Sequence, residues 1–273
     1  MTSFPHVELS IDGPVATVRL NRPEKKNAMS PELHQSMNDA LTEVEGSRDV
    51  KVLIVTGTDD SFCGGMDLEK CFLEPFDDPD RFRSINATAL TWFRRLKNLP
   101  AVTVAKVNGW CFGGGFELAG ICDIVVASED AVFGLSEINF GIFPGGGTMW
   151  ATAHNLPRKQ ALYWALTGDR FTGREAVEFG LATRAVPAAD LDAEVDRVVA
   201  MLVDKNPETL RATKDVYEWS VTLDFARSIE MEMAKLQELS YISSHAWIRT
   251  ALEQFRRREF RPGLESYSLT GTD

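Results

Sequence analysis

The sequence lacks an excess of positive charge, a cysteine pair and a long apolar run, and each absence removes a class of function. Lys and Arg number 29 against 40 Asp and Glu, a formal net charge of −11, so no nucleic-acid partner is expected for a chain that would repel phosphates. The four cysteines, Cys63, Cys71, Cys111 and Cys122, contain no CxxC spacing. A disulfide framework and a zinc ribbon are thereby excluded, and buried free thiols are expected. No apolar stretch approaches the roughly 18 to 20 residues of a membrane-spanning helix, and the opening ten residues have neither the basic start nor the apolar core of a signal peptide. A soluble, cytoplasmic protein with no membrane partner is expected. The four histidines, His6, His34, His154 and His245, share no ligand spacing, so neither a metal site nor histidine-based catalysis is expected. The sequence also lacks GxxxxGK[ST] and GxSxG, and Gly113-Gly114-Gly115 does not have a dinucleotide fingerprint's spacing. Phosphate-loop and hydrolase chemistry fall away.

What remains is an ordinary globular composition, 44% hydrophobic and 25% charged over 273 residues, long enough to bury a large core. Residues 15–20 alternate as a strand that Asn21-Arg22-Pro23 stops. Ser30 offers an N-cap with Pro31 at the first helical position, and Leu33, Met37, Leu41 and Val44 recur on one face. Residues 50–56 and 101–107 are continuous β-branched runs, the pattern of strands covered on both faces. Residues 116–121 read as a helix and 124–127 as a strand, so a wound α/β core is the economical fold. Beyond Pro187 only helical spacing remains, over 191–204, 208–219, 223–241 and 246–260. The expected organisation is an α/β core over 1–187 and a helical region over 188–273. Arg256-Arg257-Arg258 with Arg261 is a dense basic patch on an acidic chain, either a solvated helix face or a phosphate contact.

Two glycine-containing loops follow buried strands: Cys63-Gly64-Gly65-Met66-Asp67-Leu68 and Gly109-Trp110-Cys111-Phe112-Gly113-Gly114-Gly115-Phe116-Glu117. In α/β sheets such loops line the crevice where ligands bind. Consecutive glycines are entropically costly unless the backbone adopts an unusual conformation or approaches something closely. Close packing of a turn would explain them. So would two sets of backbone N–H groups aimed at one oxygen, with the helix dipole adding to the field there. Glu117 lies three residues beyond Gly114, about 5 Å along the same helical face. A second acid, Glu137, stands among apolar residues. Either is a solvated surface acid or a buried carboxyl with a pKa raised into the range useful for proton transfer.

At these residues the chain resembles the crotonase (enoyl-CoA hydratase/isomerase) family. The resemblance covers Asn21-Arg22-Pro23 with Asn27-Ala28, Gly65-Met66-Asp67-Leu68, Val107-Asn108-Gly109, Gly113 to Leu118, Asp123, Phe133-Gly134 with Glu137, Gly141 to Gly147, Thr167-Gly168 and Ala176 with Gly180-Leu181. Within the family, residues 21–31, 107–116 and 133–139, with Arg261-Pro262-Gly263-Leu264, are most similar to the hydroxycinnamoyl-CoA (feruloyl-CoA) hydratase-lyases.

The resemblance implies a crotonase-like spiral of ββα units with a helical C-terminal trimerisation region, in a homotrimer or homohexamer. It implies an oxyanion hole from the amides of Met66 and Gly114, and Glu117 and Glu137 as the two acids that position and split water. Coenzyme A, part of the acyl-CoA substrate rather than a separate cofactor, is expected to run past Lys25, Lys26, Ala28 and Gly64, Gly65, Asp67 and Leu68, with the lysines serving the phosphates. Where many relatives carry Lys after the Asp-Ile/Leu pair, this chain has Glu69 followed by Lys70. Gly113, Ser136, Phe140 and Met233 complete the expected substrate-binding set. In the hydratase-lyases a serine commonly stands at the position of Glu117, and a tyrosine stands where Met233 precedes Ala234-Lys235-Leu236. The resemblance therefore favours an enoyl-CoA hydratase for an aromatic or bulky acyl group. A hydroxycinnamoyl-CoA hydratase-lyase giving an aromatic aldehyde and acetyl-CoA is the alternative, and a non-catalytic acyl-CoA-binding protein is a third reading.

Overall fold

The computed structural model describes residues 1–263 and 266–268, so Leu264 of the Arg261-Pro262-Gly263-Leu264 run lies outside the described residues. Two compact units are present, Met1–Val199 and a second from Ala200 onward.

The first unit is built by repetition of one pattern: a long strand, then a short strand in a second sheet, then helical chain. A hairpin opens it, β1 (Thr2–Phe4) and β2 (Val7–Asp12) followed by β3 (Val15–Leu20), all antiparallel. Helix α1 (Pro31–Gly46) follows, its first turn capped by Ser30 Oγ, which accepts the Leu33 N–H at 3.3 Å. Its apolar face buries Leu33, Met37, Ala40, Leu41 and Val44. Next come β4 (Val52–Gly57), the short β5 (Ser61–Cys63) and α2 (Pro79–Lys97). The pattern recurs as β6 (Val102–Val107), β7 (Trp110–Phe112) and α3 (Gly114–Ile121). It recurs again as β8 (Ile124–Ser128), β9 (Val132–Gly134), α4 (Thr148–Asn155) and α5 (Arg158–Thr167). The unit closes with β10 (Arg170–Thr172), α6 (Gly173–Glu178), β11 (Arg184–Val186) and α7 (Leu191–Val203), whose last turn belongs to the second unit.

The long strands, with three-residue β1 and β11 at the edges, form a seven-stranded sheet in the order β1-β2-β3-β4-β6-β8-β11, parallel from β3 onward, and the remaining short ones a four-stranded sheet in the order β10-β9-β7-β5. This is the mixed α/β architecture with a parallel sheet that the β-branched runs imply. Each step from a long to a short strand moves the chain between sheets, so the path is a two-sheet spiral rather than a single doubly wound sheet. The core between the layers includes Val18, Leu53, Val55, Phe62, Ala105, Phe116, Phe133 and Phe171, all nearly fully buried. The four cysteines are buried and unpaired. His34 is buried too, its Nδ1 accepting the Trp92 indole N–H at 3.0 Å, and burial pushes its pKa down to about 4. It is a neutral packing group joining α1 to α2.

The second unit is helical. α8 (Pro207–Thr222) is capped by Asn206 and α9 (Phe225–Ile242) by Asp224, each side chain accepting a first-turn N–H. The expected helix over 246–260 is shorter and less regular. A π-helical turn at Trp247–Ala251 leads into α10 (Leu252–Arg256), and His245 and Arg258, both with φ near +60°, bound the segment. Arg257 pairs with Glu253 on α10 and lies 4.0 Å from Glu259, so acids neutralise part of the basic patch. No helix among the described residues is long and apolar enough to cross a membrane.

Candidate active site

Strands β5 and β7 pair in parallel, Cys63 opposite Cys111, so the loops leaving their C-terminal ends emerge side by side. The first loop is held by three backbone bonds: Gly64 N–H to Lys26 O at 2.8 Å, Met29 N–H to Gly65 O at 2.8 Å and Asp67 N–H to Met29 O at 2.9 Å. The last two make Met29 and Met66 an isolated parallel bridge. In such a bridge the central residue directs its own N–H and C=O away from the partner strand. Met66 N–H is thus left facing the second loop. There Gly114 opens α3, and its N–H is one of the first-turn donors that has no acceptor within the helix. A Cβ placed on Gly114 would lie 3.8 Å from Met66 N, and one on Gly65 would lie 3.6 Å from Gly114 N. The same Gly65 position, with φ +96°, is 2.9 Å from Phe112 O, so only glycine lets the loops approach this closely. Among the described residues neither N–H donates to a backbone carbonyl. Two backbone donors at the positive end of α3 suit an oxygen that gains negative charge.

The two acids flank these donors. Glu117, on the first turn of α3, is 6% exposed; its Oε2 accepts the Thr148 hydroxyl at 3.1 Å. The backbone at Gly147 rests against its other oxygen, 2.2 Å from where a Cβ would sit. Burial pushes the Glu117 carboxyl up to about 7, with the Thr148 hydrogen bond opposing the rise and the neighbouring Glu137 adding to it. Glu137 lies in a 3-10 turn at Ser136–Phe140. Its Oε1 is 2.8 Å from the position of a Gly113 Cβ, and its buried Oε2 has no protein donor among the described residues. Burial raises its pKa as well. The pair can therefore hold one proton near neutral pH, leaving one acid and one base.

Thr148 donates to the charged form of Glu117, which fixes the sign of one prediction. Thr148→Val should move the carboxyl limb of the pH-rate profile to higher pH, and Thr148→Ser should leave it in place, as initial rates from pH 5 to 9 would show. The limb belongs to the Glu117 and Glu137 pair, whose titrations are linked through their mutual repulsion.

The other residues singled out from the sequence divide into two groups. Ala28, Gly64 and Gly65 lie on the bridged loops, Gly113 backs Glu137, and half-buried Ser136 opens the turn that carries it. Lys25 and Lys26 are half exposed, Lys26 Nζ being 2.5 Å from Asp60 and Lys25 Nζ 3.9 Å from Glu69. Glu69, standing where many relatives carry Lys, thus faces a cation of the same loop pair. The Asp67 carboxylate is taken up by the protein, paired with Arg22 at 2.6 Å and accepting the Glu69 and Lys70 N–H groups at 3.1 Å each. Leu68 and Phe140 are exposed apolar side chains. Met233 is exposed on α9 in the second unit. Three residues were not visible as site components from sequence: Met29, which sets the Met66 bridge, Thr148, and Arg22. Arg22 and Met29 lie in or beside the Asn-Arg-Pro and Asn-Ala motif, whose role becomes clear only when the loops meet. Among the described residues no group of three His, Cys, Asp or Glu is arranged to hold a metal ion.

The sequence pattern of the enoyl-CoA hydratase/isomerase family matches residues 10–260. The chain is 36% identical over 264 residues to a hydroxycinnamoyl-CoA hydratase-lyase of Pseudomonas fluorescens, covering 96% of each protein. It is 30% identical to a crotonyl-CoA hydratase of Syntrophomonas wolfei, over 84% of this chain and 88% of that one. The crystal structure of an enoyl-CoA hydratase subunit I from Geobacillus kaustophilus superposes with a TM-score of 0.87 at 27% identity, covering 99% of this chain and all of that one.

Proposed function

This chain belongs to the enoyl-CoA hydratase/isomerase family, and from that premise we propose that it is a 2-enoyl-CoA hydratase acting on an aromatic or bulky acyl group. The observation that carries the proposal is the placing of two acids, Glu117 buried and Glu137 half-buried, beside two unengaged backbone N–H groups. The thioester oxygen sits between the Met66 and Gly114 N–H groups. Water's oxygen bonds to Cβ as its proton passes to the ionised member of the carboxyl pair, and the electrons of the double bond move onto the thioester oxygen as an enolate. The protonated member then delivers a proton to Cα, and the carbonyl re-forms. Atoms and charge balance with no further cofactor, since coenzyme A enters as part of the substrate. Preorganised donors at such an oxygen contribute roughly 3 to 4 kcal/mol each.

The bulk of the acyl group follows from the loop that joins the acids. It leaves Glu137, returns to Glu117 at Gly147, and exposes Phe140, Ile142 and Phe143. A second reading, hydratase-lyase activity, is favoured by the similarity to the P. fluorescens enzyme over nearly the whole chain. Here the β-hydroxy thioester would break its Cα–Cβ bond: the hydroxyl proton passes to the ionised carboxyl as the aldehyde forms, the bonding pair moves onto the thioester oxygen as an enolate, and a proton returned to Cα gives acetyl-CoA. Incubation with crotonyl-CoA, cinnamoyl-CoA and feruloyl-CoA, followed by mass spectrometry, separates the readings. Gain of one water without aldehyde supports the hydratase, and vanillin with acetyl-CoA supports the lyase. No turnover of any of the three contradicts both.

A further inference from the structure

We propose that Arg22 is a positioning residue for the Met66 N–H, acting as a clip across the bridge that aims it. The inference deepens the hydratase reading and rests on it, since it takes Met66 N–H as a donor to the thioester oxygen. The bridge between Met29 and Met66 consists of two backbone bonds, and a two-bond bridge outside any sheet has little to hold its plane. Arg22 reaches both of its sides. One guanidinium nitrogen, Nη1, lies 3.0 Å from the carbonyl of Ala28, the residue before Met29, and 2.6 Å from Oδ2 of Asp67, the residue after Met66. Both side chains are nearly fully buried. The other oxygen of Asp67 accepts the Glu69 and Lys70 N–H groups, so the carboxylate also fixes the turn through which the chain leaves Met66.

Arg22 is itself anchored. Its N–H donates to Asn27 Oδ1 at 2.9 Å, and Asn27 is fully buried with its amide donating to Thr58 O at 3.1 Å and Ser61 O at 2.7 Å. These acceptors flank the start of β5, the strand that leads into the Met66 loop. The guanidinium is therefore referred to the same strand as the donor it holds. Loss of the clip lets the Gly65–Met66 peptide rotate, and a donor misplaced by about 1 Å costs about a hundredfold in rate.

The test uses the full-length chain, crotonyl-CoA for turnover, and butyryl-CoA labelled with 13C at the thioester carbonyl as a saturated ligand that cannot be hydrated. Wild type should shift the bound carbonyl stretch to lower wavenumber than in free butyryl-CoA. Arg22→Met should lose most of that shift and lower kcat about ten- to a hundredfold, with KM changed less than about threefold because uniform binding is untouched. Arg22→Lys, which keeps the charge but on a shorter, more strongly hydrated ammonium without the planar rigidity of the guanidinium, should recover part of each. If Arg22→Met does not fold, Asp67→Asn is measured in its place, since it keeps an acceptor for the turn while removing the charge. A folded variant with the wild-type shift and kcat overturns the inference alone. Absence of any shift in wild type overturns the donor reading and the inference with it.

Discussion

Glu117→Gln is expected to lower kcat for hydration by about two to four orders of magnitude while making the folded chain more stable. The first effect follows from removing one member of the acid and base pair, and Glu137→Gln should act similarly. The second follows from the pKa. Glu117 is pushed from 4.5 up to about 7 by burial, so between those values the folded chain holds a proton that the unfolded chain has released. Stability therefore falls as pH rises through that window, and above it the ionised, buried carboxylate costs about 3 kcal/mol. Glutamine can still accept the Thr148 hydroxyl and carries no charge. Urea unfolding should show Glu117→Gln ahead of wild type by up to that amount at pH 8, with the gap closing toward pH 4.5. A variant that keeps wild-type rates on every accepted enoyl-CoA would remove Glu117 from the chemistry. One no more stable than wild type at pH 8 would remove the buried charge from the stability account.

Gly113→Ala should cost about a hundredfold in activity for a loss of stability of about 2 to 3 kcal/mol. Gly113 has φ +51°, and a Cβ there would lie 2.8 Å from Glu137 Oε1. The methyl group must displace the carboxylate or tilt the peptide that carries the Gly114 N–H, and either change spoils the site. Gly141→Ala is the control. Its φ of +75° and ψ of +20° lie in the left-handed region and no atom lies within 4 Å of the added Cβ, so it bears a smaller backbone cost than Gly113, at φ +51° and ψ −115°, with nothing to push. Thermal unfolding should place Gly113→Ala somewhat below Gly141→Ala, and initial rates, measured well below either transition, should separate them widely. Equal rates would show that the space at Gly113 is not needed for catalysis.

Much of this arrangement is legible in the sequence because it is local. The Ser30 cap, the strand Val15–Leu20 and the buried runs at β4 and β6 are set by side chains within a few residues of one another. The nearness of Glu117 to Gly114 follows from helical spacing alone. The short strands β5, β7 and β9, three residues each, offer no period to read, yet they form the second sheet that brings the two loops together. Helix α2 buries Ile85, Ala89, Trp92, Phe93 and Leu96 but nothing in its first six residues, and those exposed turns hide the pattern. The Arg22 and Asp67 pair spans 45 positions of sequence, and nothing near either residue announces the other. Lys25 and Lys26 show the converse: their charge marks them as phosphate ligands in the resemblance, but the acids that meet them come from far along the chain, Asp60 from the turn before β5 and Glu69 from the segment after the Met66 loop.

The central claim is geometric, and a crystal structure with butyryl-CoA bound tests it most directly. The account predicts the thioester oxygen within about 2.7 to 3.1 Å of both Met66 N and Gly114 N, with the Glu117 and Glu137 carboxyl groups on either side of the adjoining carbons. A thioester oxygen bonded to neither nitrogen, or carboxyl groups turned away from the acyl chain, would contradict it.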